Sequence, residues 1–486
     1  MDSVHPVLAV LSRVLAGFSL AFLVPLAWAV GMDQPLQVQV WAGAMVLTLA
    51  SSAVLWQITR RSRRELMPKD GFLLVTLVWV VLPTFSALPL LFTVPGITWT
   101  IAYFEAMSAL TATGSTALVG LDQLPVSVNV WRCFLQYIGG LGIILLVVAV
   151  LPMLGLGGLQ LYRAETPGPL KHTKLTPRIA ETARGLWTVY FVLSTACLLA
   201  YRWAGMSWAD AFMHMCTTMG LGGFSSHDAS FGHWDSAAIE SVAIVFMTLS
   251  GISFARYFLV WRNRSARVLW RDTEVRAYVI VLVGSTALLS ALLTVHGTYD
   301  GFLPALRAAA FQVVSLATTT GYASADYALW PVFAPVLLIF LGCFASCAGS
   351  TGGGIKMVRM LLLVKQARRE LVRIIHPRVV NPVTLGGATV PAAVLAAVLA
   401  FMLIYGASTV GLTMLMLLSG LDLVTGFSAV IVTLNNIGPG MGLVGPASNF
   451  AVLTDFQLWI CTWAMLLGRL ELLSVLVLFT PQFWRK

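Results

Sequence analysis

Thr318-Thr319-Thr320-Gly321 closes a short apolar segment at about 302–318, and this stretch decides how the chain folds. A helix needs about 20 apolar residues to cross about 30 Å of hydrocarbon, so a segment this short enters the membrane and returns on the same side. The peptide groups at its end then lie at membrane depth outside a helix, where protein or water must satisfy them. The stretch therefore predicts a re-entrant loop inside a membrane protein.

Three other short segments end in the same way, in small residues with hydroxyl or amide groups next to glycine. The four segments lie at about 100–113, 208–220, 302–318 and 422–436. Their ends are Thr111-Ala112-Thr113-Gly114, Met219-Gly220-Leu221-Gly222, Thr318-Thr319-Thr320-Gly321 and Asn435-Asn436-Ile437-Gly438. The marker glycines Gly114, Gly222, Gly321 and Gly438 are 108, 99 and 117 positions apart, and this near-even spacing indicates one unit repeated four times.

The composition agrees with a membrane protein. Of the 486 residues, 58% are hydrophobic and 10% are charged, whereas average soluble domains carry about 25% charged residues. The formal net charge of +10 does not point to nucleic acid, because the basic residues stand in short clusters between apolar stretches. Such clusters are typical of cytoplasmic loops.

The basic clusters also fix the topology. They lie at about 60–69, 163–184, 262–276, 356–378 and 485–486 and hold 24 of the 30 Lys and Arg residues. If all five are cytoplasmic, an even number of crossings separates neighbouring clusters, so the middle apolar segment of each interval is re-entrant. We therefore predict an all-α polytopic membrane protein with cytoplasmic N- and C-termini. It consists of a transmembrane helix pair (1–65) and four pore repeats (66–165, 166–270, 271–385 and 386–486).

Each repeat is predicted to contain a helix, a re-entrant half-helix and a second helix. Four non-helical strands around one axis direct peptide carbonyls at it, and rings of carbonyl dipoles replace the water shell of a cation. The C-terminal, partly negative end of each half-helix adds to this preference. A single Thr-Thr-Gly is more often packing or a kink, but four at the ends of re-entrant segments favour cation conduction.

Longer stretches carry a resemblance to a known family. They are FEAMSALTATGST (104–116), TTMGLGGFSSHD (217–228), SLATTTGYASADYALWP (315–331), GCFASCAGSTGGGIK (342–356), TLNNIGPGMG (433–442) and LLGRLELLSVLVLFTP (466–481). Over essentially its whole length the chain resembles the Trk/Ktr/HKT superfamily of potassium transporters, most closely the bacterial TrkH type.

The resemblance implies potassium uptake across the bacterial cytoplasmic (inner) membrane, with K⁺ bound at the four glycine-containing stretches and no covalent cofactor. It also implies that the four repeats are arranged pseudo-fourfold around one central pore in each chain, that the protein is a homodimer, and that a cytoplasmic nucleotide-binding ring of the TrkA type regulates it. In this family a glycine at the position of Gly114 goes with potassium preference, and a serine there in some plant relatives goes with sodium.

A glycine-rich stretch interrupts the apolar span at about 332–363. Gly349-Ser350-Thr351-Gly352-Gly353-Gly354 lowers the barrier to unwinding, and the resemblance implies an intramembrane gating loop beneath the filter. A nucleotide-binding P-loop is disfavoured, since that motif needs Gly-Lys-Ser/Thr and the chain has Gly354-Ile355-Lys356-Met357.

Arg469 lies in the last apolar helix, where a cation must face protein or water. By resemblance it projects into the pore as an electrostatic barrier. The alternative is an ion pair with Glu471, although residues two apart point to different sides of a helix.

The remaining candidates have weaker assignments. Glu105 fits helix capping and cation attraction equally well, and His214 is predicted to be packed rather than a ligand. The rival functions are a sodium/potassium-permeable or ion-coupled transporter, and a membrane-embedded enzyme. The sequence contains no paired acids, HExxH motif or Ser/His/Asp set, so the chain is predicted not to be an enzyme.

Overall fold

The computed structural model describes residues 4–60, 67–149 and 176–485 of the chain. Within these ranges helices dominate, and the strands form one short hairpin. The helices are α1 (His5–Ser19), α2 (Leu23–Gly31), α3 (Pro35–Thr59), α4 (Pro68–Thr93), α5 (Trp99–Leu110), α6 (Val126–Ala149), α7 (Thr176–Trp203), α8 (Trp208–Gly220), α9 (Ala237–Ser250), α10 (Phe254–Asn263), α11 (Arg267–Arg271), α12 (Thr273–Val295), α13 (Phe302–Ala317), α14 (Phe333–Phe344), α15 (Met357–Ile375), α16 (Ala392–Leu418), α17 (Leu423–Leu434), α18 (Asp455–Arg469), α19 (Leu473–Leu476) and α20 (Pro481–Trp484). The hairpin pairs β1 (Thr384–Leu385) with antiparallel β2 (Ala388–Thr389).

The N-terminal helices form the predicted pair. A 3₁₀ turn at Leu20–Phe22 joins α1 to α2, and the two make one apolar span of 27 residues that packs on α3. The Ser52 hydroxyl donates to the Ser12 carbonyl at 2.7 Å and links the two spans. In the described residues six helices are long and apolar enough to cross a membrane, or up to eight if each bent pair counts as one span.

The four repeats have the predicted order of elements. They contain α4, α5 and α6; α7, α8 and the bent pair α9–α10; α12, α13 and the interrupted pair α14–α15; and α16, α17 and the bent pair α18–α19. The short helices α5, α8, α13 and α17 have 12, 13, 16 and 12 residues, too few to span hydrocarbon. Side chains cap three of them at the N-terminus, namely Thr98, Ser207 and Asp422. The exact repeat boundaries stay a prediction.

In the part of the chain that the structure describes, three of the second helices are interrupted, and the sequence pattern predicted only the interruption in repeat three. Residues 345–356 separate α14 from α15, a longer loop than the predicted 349–354. In addition, α10 is bent by 85° from α9, and the segment after α18 by 104°. The first bend is tied to the loop, because Cys347 N donates to Gly251 O at 3.0 Å and Phe254 N donates to Gly349 O at 3.1 Å.

Polar residues occupy the centre of the molecule, and large apolar side chains cover much of its outside. Leu403 is 75% exposed and Ile280 is 69% exposed, although both lie in long apolar helices. By contrast, the fully buried residues at the centre include Thr113, Thr320 and Asn435. This distribution suits a protein surrounded by lipid with a polar interior.

Candidate ion filter and intramembrane loop

The four short helices end in one shared backbone motif. The residue in the left-handed conformation after each helix is Ala112 (φ 50°), Leu221 (φ 52°), Thr319 (φ 63°) or Asn436 (φ 53°). The next N–H bonds back five residues in every case, through the pairs Thr113–Ser108 (2.9 Å), Gly222–Thr217 (2.9 Å), Thr320–Ser315 (2.8 Å) and Ile437–Val432 (2.8 Å). This is a Schellman helix end, for which glycine is the usual left-handed residue. Non-glycine residues here carry strain of about 1–2 kcal/mol each, as is common at functional sites.

Two residues beyond each left-handed position stands a glycine, and the four glycines close a ring. Gly114, Gly223, Gly321 and Gly438 all have positive φ, from 75° to 108°. A Cβ on any of the first three would collide with a carbonyl oxygen of the next repeat, through the pairs Gly114–Gly222, Gly223–Thr320 and Gly321–Ile437. A Cβ on Gly438 would lie 3.0 Å from the Thr113 carbonyl oxygen. The order runs from repeat one to four and back to one, so the four strands surround one axis.

The ring corrects the register that the sequence pattern gave for the second repeat. The pattern aligned Gly222 with the other marker glycines, but Gly222 occupies the position of Thr113, Thr320 and Ile437. The structural equivalents of 111–114 are therefore Gly220 to Gly223, so Met219 falls one position before the stretch and Gly223 is added. The two adjacent glycines made the sequence register ambiguous. The role of all these residues as a filter stays a prediction.

Side chains from the surrounding helices hold the strands in place. Gln136 of α6 donates from Nε2 to the Gly222 carbonyl at 2.7 Å and accepts from Phe224 N at 3.1 Å. Asn436 Nδ2 donates to Thr113 Oγ1 at 2.8 Å, and Ser115 Oγ donates to the Gly438 carbonyl at 2.9 Å. The last two bonds join repeat four to repeat one, which lie far apart in sequence. The sequence reading missed Gln136, since a lone glutamine in an apolar helix gives no positional signal.

Glu105 forms a buried ion pair and does not cap its helix. It lies in the middle of α5, and Arg132 Nη2 is 2.7 Å from its Oε1, with both side chains at most 1% exposed. Glu105 also accepts from Thr116 Oγ1 at 3.0 Å and from Ala117 N at 3.0 Å. Arg132 in turn donates to the Ser225 carbonyl at 3.3 Å. The pair thus joins the chain leaving strand one to the chain leaving strand two, and the carboxylate is neutralised.

His214 is packed, in agreement with its sequence assignment. Its ring is fully buried on α8 and meets the rings of Phe231 and Trp234 edge-on. Its nitrogens lie 2.9 Å from the Asp210 carbonyl oxygen and 3.0 Å from Ser225 Oγ. These contacts account for both nitrogens without a ligand.

The loop at 345–356 packs against the C-terminal ends of the short helices, which come just before the ring glycines in the sequence. Thr351 Oγ1 donates to the Met219 carbonyl at 2.9 Å, and Gly353 N donates to Thr319 Oγ1 at 2.8 Å. A Cβ on Gly353 would collide with the Asn435 carbonyl oxygen. The loop therefore contacts repeats two, three and four at once, and its glycines permit backbone approaches that other residues would prevent.

Arg469 ties this loop to two helices. It is the last residue of α18 and is 3% exposed. Its Nη1 donates to the Thr351 carbonyl at 2.9 Å and its Nη2 to the Gly139 carbonyl at 3.0 Å. Glu471 pairs instead with Arg359, at 2.6 Å. The alternative ion pair between Arg469 and Glu471 is therefore wrong, and the barrier role stays a prediction.

Two further side chains hold the loop and were not predicted. Glu274, in the first turn of α12, accepts from Ala348 N at 2.7 Å and Val358 N at 3.1 Å, so one carboxylate oxygen binds both ends of the loop. Lys356 Nζ donates to the Gly352 carbonyl. The sequence offered a signal for Glu274, because an acid at the start of an apolar span is rare enough to suggest a role.

On the side of the ring away from the loop, a cavity is lined by all four ring glycines and by residues just after them. His227 and Asp228 stand at its rim. Burial opposes protonation of His227, but its bonds to Asp210 and Asp122 outweigh burial and raise its pKa. Burial likewise opposes ionisation of Asp122, and its bond to His227 outweighs this and lowers the pKa of that carboxyl.

A mostly helical chain with several long apolar helices, in which the ends of four short helices close into one ring next to a glycine-rich loop, has the architecture of a polytopic membrane protein. The family model for TrkH, described as "Cation transport protein", matches residues 37–486. The chain therefore belongs to the TrkH family of cation transport proteins. This membership confirms the predicted family and, because the family consists of transporters, the prediction that the chain is not an enzyme.

Individual relatives are similar over nearly the full length. The chain is 46% identical to the "Trk system potassium uptake protein TrkH" of Salmonella typhimurium, covering 90% of this chain and 91% of the relative. It is 43% identical to the TrkH of Vibrio parahaemolyticus over 99% of both chains. The crystal structure of the potassium transporter TrkH from Vibrio parahaemolyticus superposes with a TM-score of 0.92 at 40% identity, covering 99% of this chain and 100% of that one. The predicted all-α polytopic membrane fold is confirmed.

Proposed function

We propose that the protein takes up potassium, and that K⁺ passes through the glycine ring, coordinated by backbone carbonyls. The observation that carries the proposal is that the ring is closed: each repeat places a glycine next to a backbone carbonyl oxygen of the next repeat, and repeat four does so with repeat one. The relatives named as potassium uptake proteins support the choice of ion.

The chemistry of the ring favours a weakly held monovalent cation. Its backbone oxygens are neutral dipoles, and the charge of the buried carboxylate of Glu105, on the half-helix of repeat one, is balanced by Arg132. Rings of carbonyls replace the hydration shell of K⁺ without the strong attraction that fixed negative charges exert. The C-terminal ends of four half-helices add partial negative charge along the axis.

The loop beneath the ring and Arg469 form the proposed gate. A guanidinium held at 3% exposure near the conduction path repels cations, and the loop carbonyl at Thr351 fixes it there. Opening requires Arg469 to exchange its two carbonyl partners for others, together with a new path of the glycine-rich backbone. Flux then depends on the position of the loop rather than on the filter.

The wider assembly is also part of the proposal. We infer a homodimer in the bacterial inner membrane with both termini in the cytoplasm, and a regulatory ring of the TrkA type. The basic residues at 262–276 and along α15 support a cytoplasmic docking face on topological grounds. The alternative function is a sodium/potassium-permeable or ion-coupled transporter, which shares the same ring.

The test is cation flux into liposomes that contain the purified protein, compared for K⁺, Rb⁺, Na⁺ and Li⁺. We expect K⁺ and Rb⁺ to pass well ahead of Na⁺ and Li⁺. Gly114→Ser is expected to reduce both K⁺ flux and the K⁺/Na⁺ ratio, because its Cβ would collide with the Gly222 carbonyl oxygen and distort the ring. Gly96→Ser is the matched control, since Gly96 has a similar φ of 75° with open space around it. Equal passage of K⁺ and Na⁺ through the unmodified protein would refute the potassium filter.

A further inference from the structure

Three side chains that play no part in the proposed filter come together beside the cavity above the ring, and one of them, His227, lines that cavity. Asp122 belongs to the loop after strand one, and His227 and His233 belong to the loop after strand two. One ligand-type atom from each lies within 4.8 Å of the other two. We propose that Asp122, His227 and His233 bind a divalent transition-metal cation such as Zn²⁺ at the mouth of the conduction path.

The donor set matches this class of ion. Two imidazoles and one carboxylate form a three-ligand set that, in zinc proteins, leaves a fourth position for water. Zinc ligands lie about 2.0–2.2 Å from the metal, so ligand atoms up to 4.8 Å apart must draw together around it, whereas the hydrogen-bonded Asp122 and His227 atoms must separate to admit it. Asp122 and His233 are exposed, and the His227 and His233 rings stack with centroids 3.6 Å apart. Hard cations such as Mg²⁺ prefer all-oxygen sites and are disfavoured here.

The surroundings already orient two of the ligands. Asp122 Oδ2 accepts from the Asp228 backbone N at 3.1 Å, which leaves Oδ1 facing His227 Nδ1. The other nitrogen of His227 lies 3.5 Å from Asp210 Oδ1. Asp210 is itself held by hydroxyls, from Ser207 at 2.6 Å and Ser226 at 2.8 Å. A carboxylate behind a histidine is the usual outer arrangement of metal-binding imidazoles.

A simple ion pair does not account for the whole cluster. His227 paired with Asp122 and Asp210 joins the two loops without any metal. That pair leaves His233 unexplained, because His233 forms no hydrogen bond or ion pair within the described parts of the chain, yet its ring lies directly on that of His227. A shared cation gives the second imidazole a role.

The position of the site predicts its effect. His227 lines the cavity that leads to the glycine ring, so a divalent charge there repels incoming monovalent cations. The ion also joins the loops of repeats one and two more firmly. We therefore expect a loaded site to slow flux without changing the ion preference.

Direct binding is tested first, so that the result does not depend on transport. The purified full-length protein is dialysed against Zn²⁺ and the bound metal is counted. We expect about one tightly bound Zn²⁺ per chain. Affinity should be lost with His233→Ala and Asp122→Asn, and weakened about 10–100-fold with Asp210→Asn, which removes the carboxylate behind His227. His296→Ala, an exposed histidine elsewhere, is the control. Unchanged binding by His233→Ala, or equal loss with His296→Ala, would overturn the site.

A measurement on the unmodified protein covers the case that a variant folds poorly. Histidines are modified with diethylpyrocarbonate with and without Zn²⁺ and mapped by mass spectrometry. Protection of His227 and His233, but not of His296, is expected. Equal modification of all three in both conditions contradicts the proposal.

Flux in liposomes then tests the effect at the mouth. External Zn²⁺ should slow K⁺ flux in the unmodified protein and not in His233→Ala. Binding with unchanged flux would refute the inhibitory effect. A protein that binds Zn²⁺ at these residues but passes K⁺ and Na⁺ equally would refute the potassium filter and leave the metal site standing.

Discussion

At the scale of single residues, the neighbouring glycines Gly222 and Gly223 differ in how well a side chain could be accommodated. Gly223 needs a positive φ, and a Cβ there would collide with the Thr320 carbonyl oxygen, which belongs to rigid backbone. Gly222 has no such φ, and a Cβ there would meet the side-chain amide of Gln136, which is the end of a flexible side chain rather than backbone. Backbone collisions cannot be relieved by a rotamer change, so the two positions should respond differently to the same substitution.

The first prediction compares Gly223→Ala with Gly222→Ala. We expect Gly223→Ala to abolish K⁺ flux in liposomes, because it adds both backbone strain of about 1–2 kcal/mol and a collision within the ring. Gly222→Ala should retain part of the flux. Equal loss in the two variants, or a greater loss with Gly222→Ala, would argue that Gly222 is the ring glycine after all.

The second prediction concerns the buried ion pair. Glu105→Gln leaves Arg132 in a site with at most 1% exposure and no charged partner, so the free energy of unfolding should fall by about 3–5 kcal/mol. Titration of the detergent-solubilised protein with denaturant measures this loss of stability. Asp235→Asn is the control. The Asp235 side chain pairs with Arg307 but is 88% exposed, so its replacement should change the stability little. Similar stability of the two variants would mean that the buried pair is not structural.

At the scale of elements, the interruptions in the second helices form the part of the site that contains the glycine-rich loop and Arg469. The bend between α9 and α10, the loop between α14 and α15, and the bend after α18 bring Gly251, Thr351 and Arg469 toward one another. Continuous helices would carry these groups past the ring. The loop is therefore held by partners on several other elements, among them α8, α12 and α18, and its release requires several hydrogen bonds to break together.

The third prediction tests this inner arrangement through Arg469→Gln. The change removes the buried charge and the bonds to the Thr351 and Gly139 carbonyls, so cation flux should rise several-fold with the ion preference unchanged. Liposome flux measures it. Arg202→Gln replaces an exposed arginine that bonds the Met206 carbonyl, and its flux should stay at the original level. Unchanged or reduced flux from well-folded Arg469→Gln protein would remove the barrier.

At the scale of the whole molecule, four repeats that lie far apart in sequence share one central site. Ser115 bonds the Gly438 carbonyl, and Asn436 bonds Thr113, across more than 300 positions of the chain. In the proposed filter, an ion bound at the ring would contact all four repeats, so its binding site exists only when the four are assembled. Ion binding should therefore stabilise the complete fold rather than any single repeat.

The fourth prediction follows from this linkage. K⁺ should raise the midpoint of thermal unfolding more than Na⁺ at equal ionic strength, and a K⁺ concentration 100 times the dissociation constant stabilises by about 2.7 kcal/mol. Gly223→Ala should lose the difference between the two salts. Equal midpoints in K⁺ and Na⁺ for the unmodified protein would contradict selective binding at the ring.

The sequence by itself determined the membrane fold, the four short segments and the interruption in repeat three. These features depend on local quantities, namely the length of each apolar stretch, the positions of basic residues and runs of glycine. The ends of α5, α8, α13 and α17 fall within a few residues of the predicted segments for this reason.

Only the tertiary structure decided the register at Gly223, the bracing by Gln136, the pairing of Glu105 with Arg132, and the two unpredicted bends. Each depends on a partner from another repeat or another helix, such as the Thr320 carbonyl beside Gly223. Two adjacent glycines look equivalent along the chain, and they differ only because the neighbouring strand lies against one of them. The physical reason is that steric exclusion and buried hydrogen bonds act between groups that are close in space, whatever their separation in sequence.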